Sequence, residues 1–349
     1  MITLLQGHGK RSREVVRMKF EKVTIIGAGA WGMAIALHLH RENRCRVALY
    51  SVRNASRNNL RESRSNAGLL EGVCLPEGIQ IPETIHEAMD KSGLVISCVP
   101  SAHLRKIFQE IKTSFPGYTP VISTTKGMER ETFFRPSQVI LDVLGPRPLA
   151  VLSGPSHAEE VVRGMPTSVV VAGEDVELNK QVQNLFNSES FRVYTNNDPV
   201  GVEIAGALKN VIAIAAGIND GLGFGDNARA ALITRGIVEI ARFGVSMGAQ
   251  MKTFYGLAGL GDLIATCASR HSRNRMVGER LGKGECLEDF LPRMNQVAEG
   301  VVTAPIIREQ ALKTGLDLPI MEQVYQVLTG GKSPKSAVLD LMQRVPRDE

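Results

Sequence analysis

Cysteine is scarce in this chain and poorly placed for cross-linking. Five occur in 349 residues, at positions 45, 74, 98, 267 and 286, with no CxxC pair among them. That spacing argues against both a disulfide framework and a zinc site, and it fits a reducing compartment, which predicts a cytoplasmic protein. Aromatic side chains are few as well: five Tyr and one Trp leave little for stacking on bases. No run approaches the roughly 18 consecutive apolar residues of a membrane span. The opening MITLLQGHGKRSREVVRMKF places basic residues after a very short apolar patch, the reverse of a secretory signal. Internal repeats and low-complexity segments are missing too. Charge is the one mild excess. Lys and Arg number 41 against 36 Asp and Glu, for a net charge of +5. The basic residues are spread along the chain, which argues against a nucleic-acid partner and favours an anionic small molecule.

What remains is ordinary for a globular protein: 43% hydrophobic and 22% charged residues. The length favours two domains over one. Residues 1–19 read as a polar leader, or as the product of an upstream start codon, since Met18 immediately precedes the first ordered pattern. KVTIIG (22–27), CRVALY (45–50), LVISCV (94–99), PVISTT (120–125) and LAVLSG (149–154) are apolar, β-branched runs of buried-strand type. Helical or loop segments separate them, which predicts βαβ units in a doubly wound, mostly parallel sheet over residues 20–197. TNNDPV (195–200) reads as a linker. Residues 198–349 then read as helices throughout, a separate all-α substrate domain.

The first strand runs into Gly27-Ala28-Gly29-Ala30-Trp31-Gly32, a G-x-G-x-x-G that opens a helix. In this setting the first glycine permits a tight turn and the second lets backbone approach a pyrophosphate. The third allows close helix–strand packing, and the helix N-terminus supplies free N–H groups. A dinucleotide is therefore expected. An acid at the end of the second strand would select NAD by binding the ribose 2′-hydroxyl, but LYSVRNASR (49–57) has none. Arg53 and Arg57 are available there instead, either for a 2′-phosphate or simply as solvated surface charges, so NADPH is expected to be accepted.

Ligands in such sheets bind beyond the carboxyl ends of the strands. Lys126 in TTKG, and Gly154 and Ser156 in SGPS, stand at those ends. In the helical half, AGALKNVIAIAAG (205–217) sets Lys209 and Asn210 in an otherwise small and apolar stretch. Burying an ammonium is costly, so Lys209 either snorkels to water or has a chemical task. GLAGLGDL flanks Asp262 with glycine. Ser272-Arg273-Asn274-Arg275 gathers hydroxyl, guanidinium and amide groups suited to a phosphate, although an exposed helix start would look the same.

Taken together, GAGAWGMA, STTKGME, SGPSHAEEV, GALKNVIAIAAGI, NARAALITRG, GLAGLGDL, SRNR and VAEGVVTA closely resemble the NAD(P)-dependent glycerol-3-phosphate dehydrogenases of the bacterial soluble type, in order and spacing, from about residue 20 to 335. The resemblance implies a Rossmann-type domain followed by a helical one. It also implies reversible NAD(P)H-dependent reduction of dihydroxyacetone phosphate to sn-glycerol 3-phosphate, the phospholipid backbone precursor; separately, the long apolar helices of the second domain predict a homodimer. By that resemblance Lys209, Lys126 and Asp262 are catalytic. Gly154, Ser156, Ser272, Arg273 and Asn274 join them around the substrate. Gly27, Gly29, Ala30, Trp31, Gly32, Arg53, Lys126, Ala158, Arg273, Val297 and Glu299 line the cofactor, and no metal is implied. The small residues around Lys209 are expected to leave room for a nicotinamide and a three-carbon substrate. Three positions depart from the family pattern: Ala30 is commonly serine, Met33 threonine, and His157 an aromatic or small apolar residue. None of the three removes a charged group. Hydroxyacid reductases of the β-hydroxyacid type also use a lysine in a helical domain, but SRNR and GLAGLGDL argue against them.

Overall fold

A computed structural model describes residues 20–66, 68–294 and 297–346; the leader expected over 1–19 lies outside the described residues. Eight strands build one sheet: β1 (Lys22–Ile26), β2 (Arg46–Tyr50), β3 (Ile79–Gln80), β4 (Leu94–Ser97), β5 (Val121–Ser123), β6 (Leu149–Ser153), β7 (Thr167–Ala172) and β8 (Phe191–Asn196). Their order is β3-β2-β1-β4-β5-β6-β7-β8, and every neighbouring pair is parallel except β6 with β7. The five runs legible in the sequence form β1, β2, β4, β5 and β6. β3 is only two residues long. β8 alternates buried and exposed positions, as an edge strand does, and runs into polar residues that resemble a linker.

The crossovers are α1 (Ala30–Arg41), α2 (Asn54–Ser63), α3 (Ile85–Met89), α4 (Leu104–Ile111), α5 (Pro136–Leu144), α6 (Ala158–Val162) and α7 (Val176–Phe186). They cover both faces of the sheet, so β1, β4 and β5 are buried throughout. The chain goes from β1 through α1 to β2 on one side, and returns to β4 on the other. The carboxyl ends of β1 and β4 therefore open a crevice at the point where strand order reverses.

After the sheet come α8 (Pro199–Gly221), α9 (Asp226–Ser246), α10 (Met251–Phe254), α11 (Asp262–Ala268), α12 (Arg273–Gly282), α13 (Leu287–Phe290), α14 (Glu299–Thr314), α15 (Pro319–Leu328) and α16 (Pro334–Met342). The expected linker 195–200 is not free chain. Thr195 and Asn196 finish β8, and Asp198 already caps α8 by accepting from the Gly201 N–H at 2.9 Å. The same carboxylate accepts from Gln250 N and from the Thr253 hydroxyl, which fixes the sheet-to-helix turn.

α8 is the axis of the helical half. It is long and apolar enough to cross a membrane, but its entire apolar window is buried inside the protein. A helix apolar on all sides is buried by its neighbours on all sides. Two of its glycines set how close α12 comes: a Cβ on Gly217 would stand 1.9 Å from Arg275 O, and one on Gly278 would stand 1.9 Å from Ile214 O. Glu203, near the start of α8, accepts from Ser137 N at 2.8 Å and pairs with Arg135, which ties the axis back to α5.

Candidate active site

The dinucleotide side of the crevice starts at Gly27, whose φ of +107° suits glycine. A Cβ on Gly27 would lie 2.6 Å from Cys98 O, and one on Gly32 would lie 1.9 Å from Gly27 O. Gly29 meets nothing within 4 Å, so backbone there is open to an approaching group. Gly29 is also the N-cap of α1, and no side chain caps the helix. Free N–H groups of the first turn, at Ala30, Trp31 and Gly32, thus face the crevice mouth, an arrangement that fits a diphosphate. Ala158, the first residue of α6, is buried in the hydrophobic cluster against which Ala30 and Trp31 pack. Across the crevice the Ser101 hydroxyl donates to Glu299 Oε2 at 2.8 Å. Burial raises the Glu299 carboxyl above its ordinary pKa, against the Ser101 hydrogen bonds. Val297, two residues earlier, is exposed.

At the end of β2 the two arginines differ. Arg57 donates to Ser51 O at 2.7 Å and Asn54 Oδ1 at 2.7 Å, and its guanidinium lies 5.0 Å from the Tyr50 ring centroid. These bonds hold Arg57 in local structure. Arg53 is exposed at the N-cap of α2. It lies apart from the lysine cluster, on the β2 rim.

The chemistry concentrates where sheet and helices meet. Asp262, at the start of α11, is 2% exposed and receives two ammonium groups. Lys126 Nζ donates to its Oδ2 at 2.8 Å, and Lys209 Nζ donates to its Oδ1. Lys209 also donates to Thr266 Oγ1 at 2.7 Å, while the Thr266 hydroxyl donates to Asp262 O at 2.6 Å. So Lys209 does not snorkel; it is 6% exposed and two of its three ammonium donors are engaged. Burial pushes its ammonium well below the usual lysine range, Asp262 pulls the other way, and Lys126 adds to the lowering. Burial would by itself raise the Asp262 carboxyl. The two lysines outweigh that and hold it below the ordinary carboxylate range. While Lys209 is protonated, one carboxylate faces two ammonium groups and the cluster carries an unbalanced positive charge.

The small residues flanking Lys209 pack closely against their neighbours. A Cβ on Gly206 would stand 3.0 Å from Ser153 Oγ and 3.5 Å from Lys126 Cγ. Ala205 and Ala207 are buried in the helical core. Gly206 thus gives clearance to the Ser153 hydroxyl, with the Lys126 stem at ordinary contact distance.

The phosphate-type segment begins α12. Ser272 is the N-cap and accepts from Arg275 N at 3.2 Å, so its oxygen already serves the helix. Arg273 extends into solvent from the first turn; nearby protein still disfavours its charge, which Glu299 and then Glu159 support. Asn274 Nδ2 donates to Asn210 Oδ1 at 2.9 Å, and its own oxygen accepts from Gly300 N at 2.9 Å. Arg275 is tied to Asp220 at 2.7 Å. On the strand side Gly154 has φ +141°, and a Cβ there would meet Val169 Cα at 2.9 Å. Ser156 Oγ donates to Gly154 O at 2.9 Å. The neighbouring His157 ring hydrogen-bonds the Ala265 backbone, and burial holds its pKa down, aided by the Lys209 charge.

The fold therefore gathers Lys126, Lys209 and Asp262 into direct contact and brings Asn274 beside them through Asn210. Thr266, Asn210 and Ser101 were not singled out as site residues. Thr266 was findable: it stands four residues after Asp262, on the same face of one helix. Among the described residues no group of three or more His, Cys, Asp or Glu could hold a metal ion.

Residues 22–179 match the family model described as NAD-dependent glycerol-3-phosphate dehydrogenase N-terminus, and residues 198–339 match its C-terminus counterpart. The chain is 44% identical to a glycerol-3-phosphate dehydrogenase [NAD(P)+] of Chlorobium limicola over 330 residues, covering 94% of this chain and 99% of the relative. Against the enzyme of the same name from Moorella thermoacetica the identity is 48%, covering 93% of this chain and 96% of that one. The crystal structure of a glycerol-3-phosphate dehydrogenase from Coxiella burnetii superposes with a TM-score of 0.89 at 34% identity, covering 93% of this chain and 99% of that chain.

Proposed function

Because this chain belongs to the NAD-dependent glycerol-3-phosphate dehydrogenase family, we propose that Lys209 is the proton donor and acceptor of its reaction, with Asp262 and Lys126 setting the charge around it. The protein is an NAD(P)-dependent oxidoreductase, and it reduces dihydroxyacetone phosphate reversibly to sn-glycerol 3-phosphate. Bound NAD(P)H supplies the hydride that reaches the substrate's C2. The observation that carries the assignment of Lys209 is the buried carboxylate of Asp262 shared by two ammonium groups.

In reduction, negative charge grows on the C2 oxygen, and the unbalanced cation of this cluster meets it. Lys209 gives one proton to that oxygen and becomes a neutral amine. Its lowered proton affinity makes the transfer easier, and in the oxidation direction the same amine accepts the proton. Thr266 and Asp262 fix Nζ in both states. Lys126 supports the same oxygen. Ser272, Arg273 and Asn274 hold the phosphate, with Gly154 and Ser156 opposite. Anchoring the phosphate, which does not react, lets its binding energy position the carbonyl. Gly27, Gly29, Ala30, Trp31, Gly32, Arg53, Lys126, Ala158, Arg273, Val297 and Glu299 hold the dinucleotide. Residues 20–197 act as the dinucleotide-binding domain and residues 198–349 as the substrate domain.

The reading extends to supply of the glycerol phosphate backbone for phospholipids, and to a cytoplasmic setting that the five free cysteines support. A homodimer is part of it; exposed apolar side chains on the helical half, such as Leu312, Leu339 and Met342, support self-association. One assay tests the activity: absorbance of NADH and NADPH followed with dihydroxyacetone phosphate and then with β-keto acids. Turnover confined to β-keto acids would overturn it.

A further inference from the structure

Behind the lysine cluster, away from the dinucleotide turn, lies a second opening. It is a cleft of about 600 Å³ between the β6–α6 segment and the end of α11. Its lining includes Ser156 and Ala265, so its floor lies against the outer side of the cluster: Ala265 sits between Asp262 and Thr266 on α11. His157 lines the floor and bonds the Ala265 backbone, and the His271 ring stands 6.0 Å from the His157 ring. Two arginines reach the cleft from opposite walls, Arg163 at the end of α6 and Arg270 in the turn before α12. Both are exposed, and neither has an ion-pair partner among the described residues. Glu160 is the single carboxylate among the described lining residues.

What sets Arg163 and Arg270 apart is that two guanidinium groups, unpaired among the described residues, line one cleft. Arg105, Arg229, Arg275, Arg280 and Arg308 all meet carboxylates. Arg163 and Arg270 share a concave space in which low-dielectric walls concentrate their field. Its lining runs from Pro155 and Ser156 on one side to Arg270 and His271, just before the α12 N-cap, on the other. Its chemistry suits a small, doubly charged phosphate ester that must reach the cluster while the dinucleotide occupies the other crevice. The geometry points to this cleft as the entrance for the substrate dianion, with Arg163 and Arg270 drawing the phosphate inward and Glu160 opposing them. The inference rests on the dihydroxyacetone phosphate activity and adds a route, with residues that act on capture and not on hydride transfer.

Steady-state kinetics on the full-length enzyme separate the alternatives. Arg163→Glu with Arg270→Glu should lower kcat/KM for dihydroxyacetone phosphate about tenfold at low salt, while kcat stays within about twofold. The loss should shrink as salt rises, because screening removes a field that acts at a distance. The milder pair Arg163→Gln and Arg270→Gln should give a smaller loss of the same kind. Glu160→Gln should raise kcat/KM. Lys106→Glu on α4, which does not line the cleft, controls for net charge and should change nothing. Unchanged kcat/KM in the arginine variants overturns the inference, as does an equal fall in kcat/KM for NADPH or a loss that salt leaves untouched. No turnover of dihydroxyacetone phosphate by the unaltered enzyme overturns the activity and this route together. Turnover with insensitive variants overturns the route alone.

Discussion

Asn274 donates to Asn210 Oδ1 across the contact between α12 and α8, with a nitrogen–oxygen distance of 2.9 Å. Asn210 is the neighbour of Lys209, so this bond ties the phosphate-type segment to the helix that carries the proposed proton donor. The far side of Asn274 is held by Gly300 N, and a Cβ on Gly300 would come within 2.6 Å of Asn210 O. Three helices therefore converge here at backbone distance. Glycine at the crossings is what permits it.

Gly278→Ala tests that crossing. The new methyl would stand 1.9 Å from Ile214 O and 2.8 Å from Ile218 N, all backbone, so α12 must move. Overpacking of this kind costs about 1–3 kcal/mol. Urea unfolding should show that loss, and KM for dihydroxyacetone phosphate should rise as Arg273 and Asn274 shift. Native-like stability together with native KM would mean the helices are free to separate.

Lys209→Ala removes the proposed proton donor and leaves Asp262 with Lys126 as its one ammonium partner. Loss of general acid–base assistance should lower kcat by about 10²–10⁴-fold. NADH and NADPH affinity, read by fluorescence titration, should change little. Near-normal turnover would end the assignment.

Asp262→Asn bears on the sign of the lysine shift. The Asp262 charge favours the Lys209 ammonium, and Lys126 disfavours it. Without the carboxylate the pKa of Lys209 falls further. Reduction needs the ammonium, so its activity is lost as pH rises through that pKa, and the alkaline limb should move to lower pH in the variant. The acidic limb of the oxidation reaction, which needs the amine, should move the same way. A limb that stays in place or moves up contradicts the proposed charge balance.

Arg53→Ala probes the cofactor's 2′-phosphate. Arg57 is committed to Ser51 and Asn54, which leaves Arg53 as the exposed cation at the end of β2. Losing one charge-assisted bond of about 1.5 kcal/mol should weaken NADPH about tenfold and leave NADH unchanged. Equal weakening of both, seen by fluorescence titration, would place Arg53 away from the 2′ position.

Glu239→Gln concerns stability instead of turnover. The Glu239 carboxylate caps α15 by accepting from Ile320 N at 2.8 Å and Met321 N at 3.1 Å. Burial nevertheless raises its pKa from 4.5 to about 7. The folded state thus holds this proton more tightly than the unfolded chain. The group's contribution is full below pH 4.5 and is lost as pH rises through about 7. The stability of the glutamine variant relative to the native enzyme should rise over that window, by up to about 3 kcal/mol. Denaturation curves at pH 4.5, 6 and 8 with a constant difference would refute the shift.

The sequence by itself determined the sheet core, the glycine turn and the identities of Lys126, Lys209 and Asp262. Runs such as KVTIIG and LAVLSG allow only buried strands, and Gly27, with its φ of +107°, shows why the first glycine of that turn is glycine. It missed β8 because an edge strand that alternates and ends in Asn196 looks like a linker. Only the tertiary structure decided what Gly206 meets, since the Ser153 hydroxyl and the Lys126 stem reach it from distant parts of the sequence. It also decided that Thr266 and Asn210 belong to the site and that Arg57 is committed while Arg53 is free. Residue type and local spacing record a helix face or a turn. Which charge meets which depends on long-range packing, and here that packing brings Lys209 of α8 and Lys126, just past β5, to the single carboxylate of Asp262 on α11.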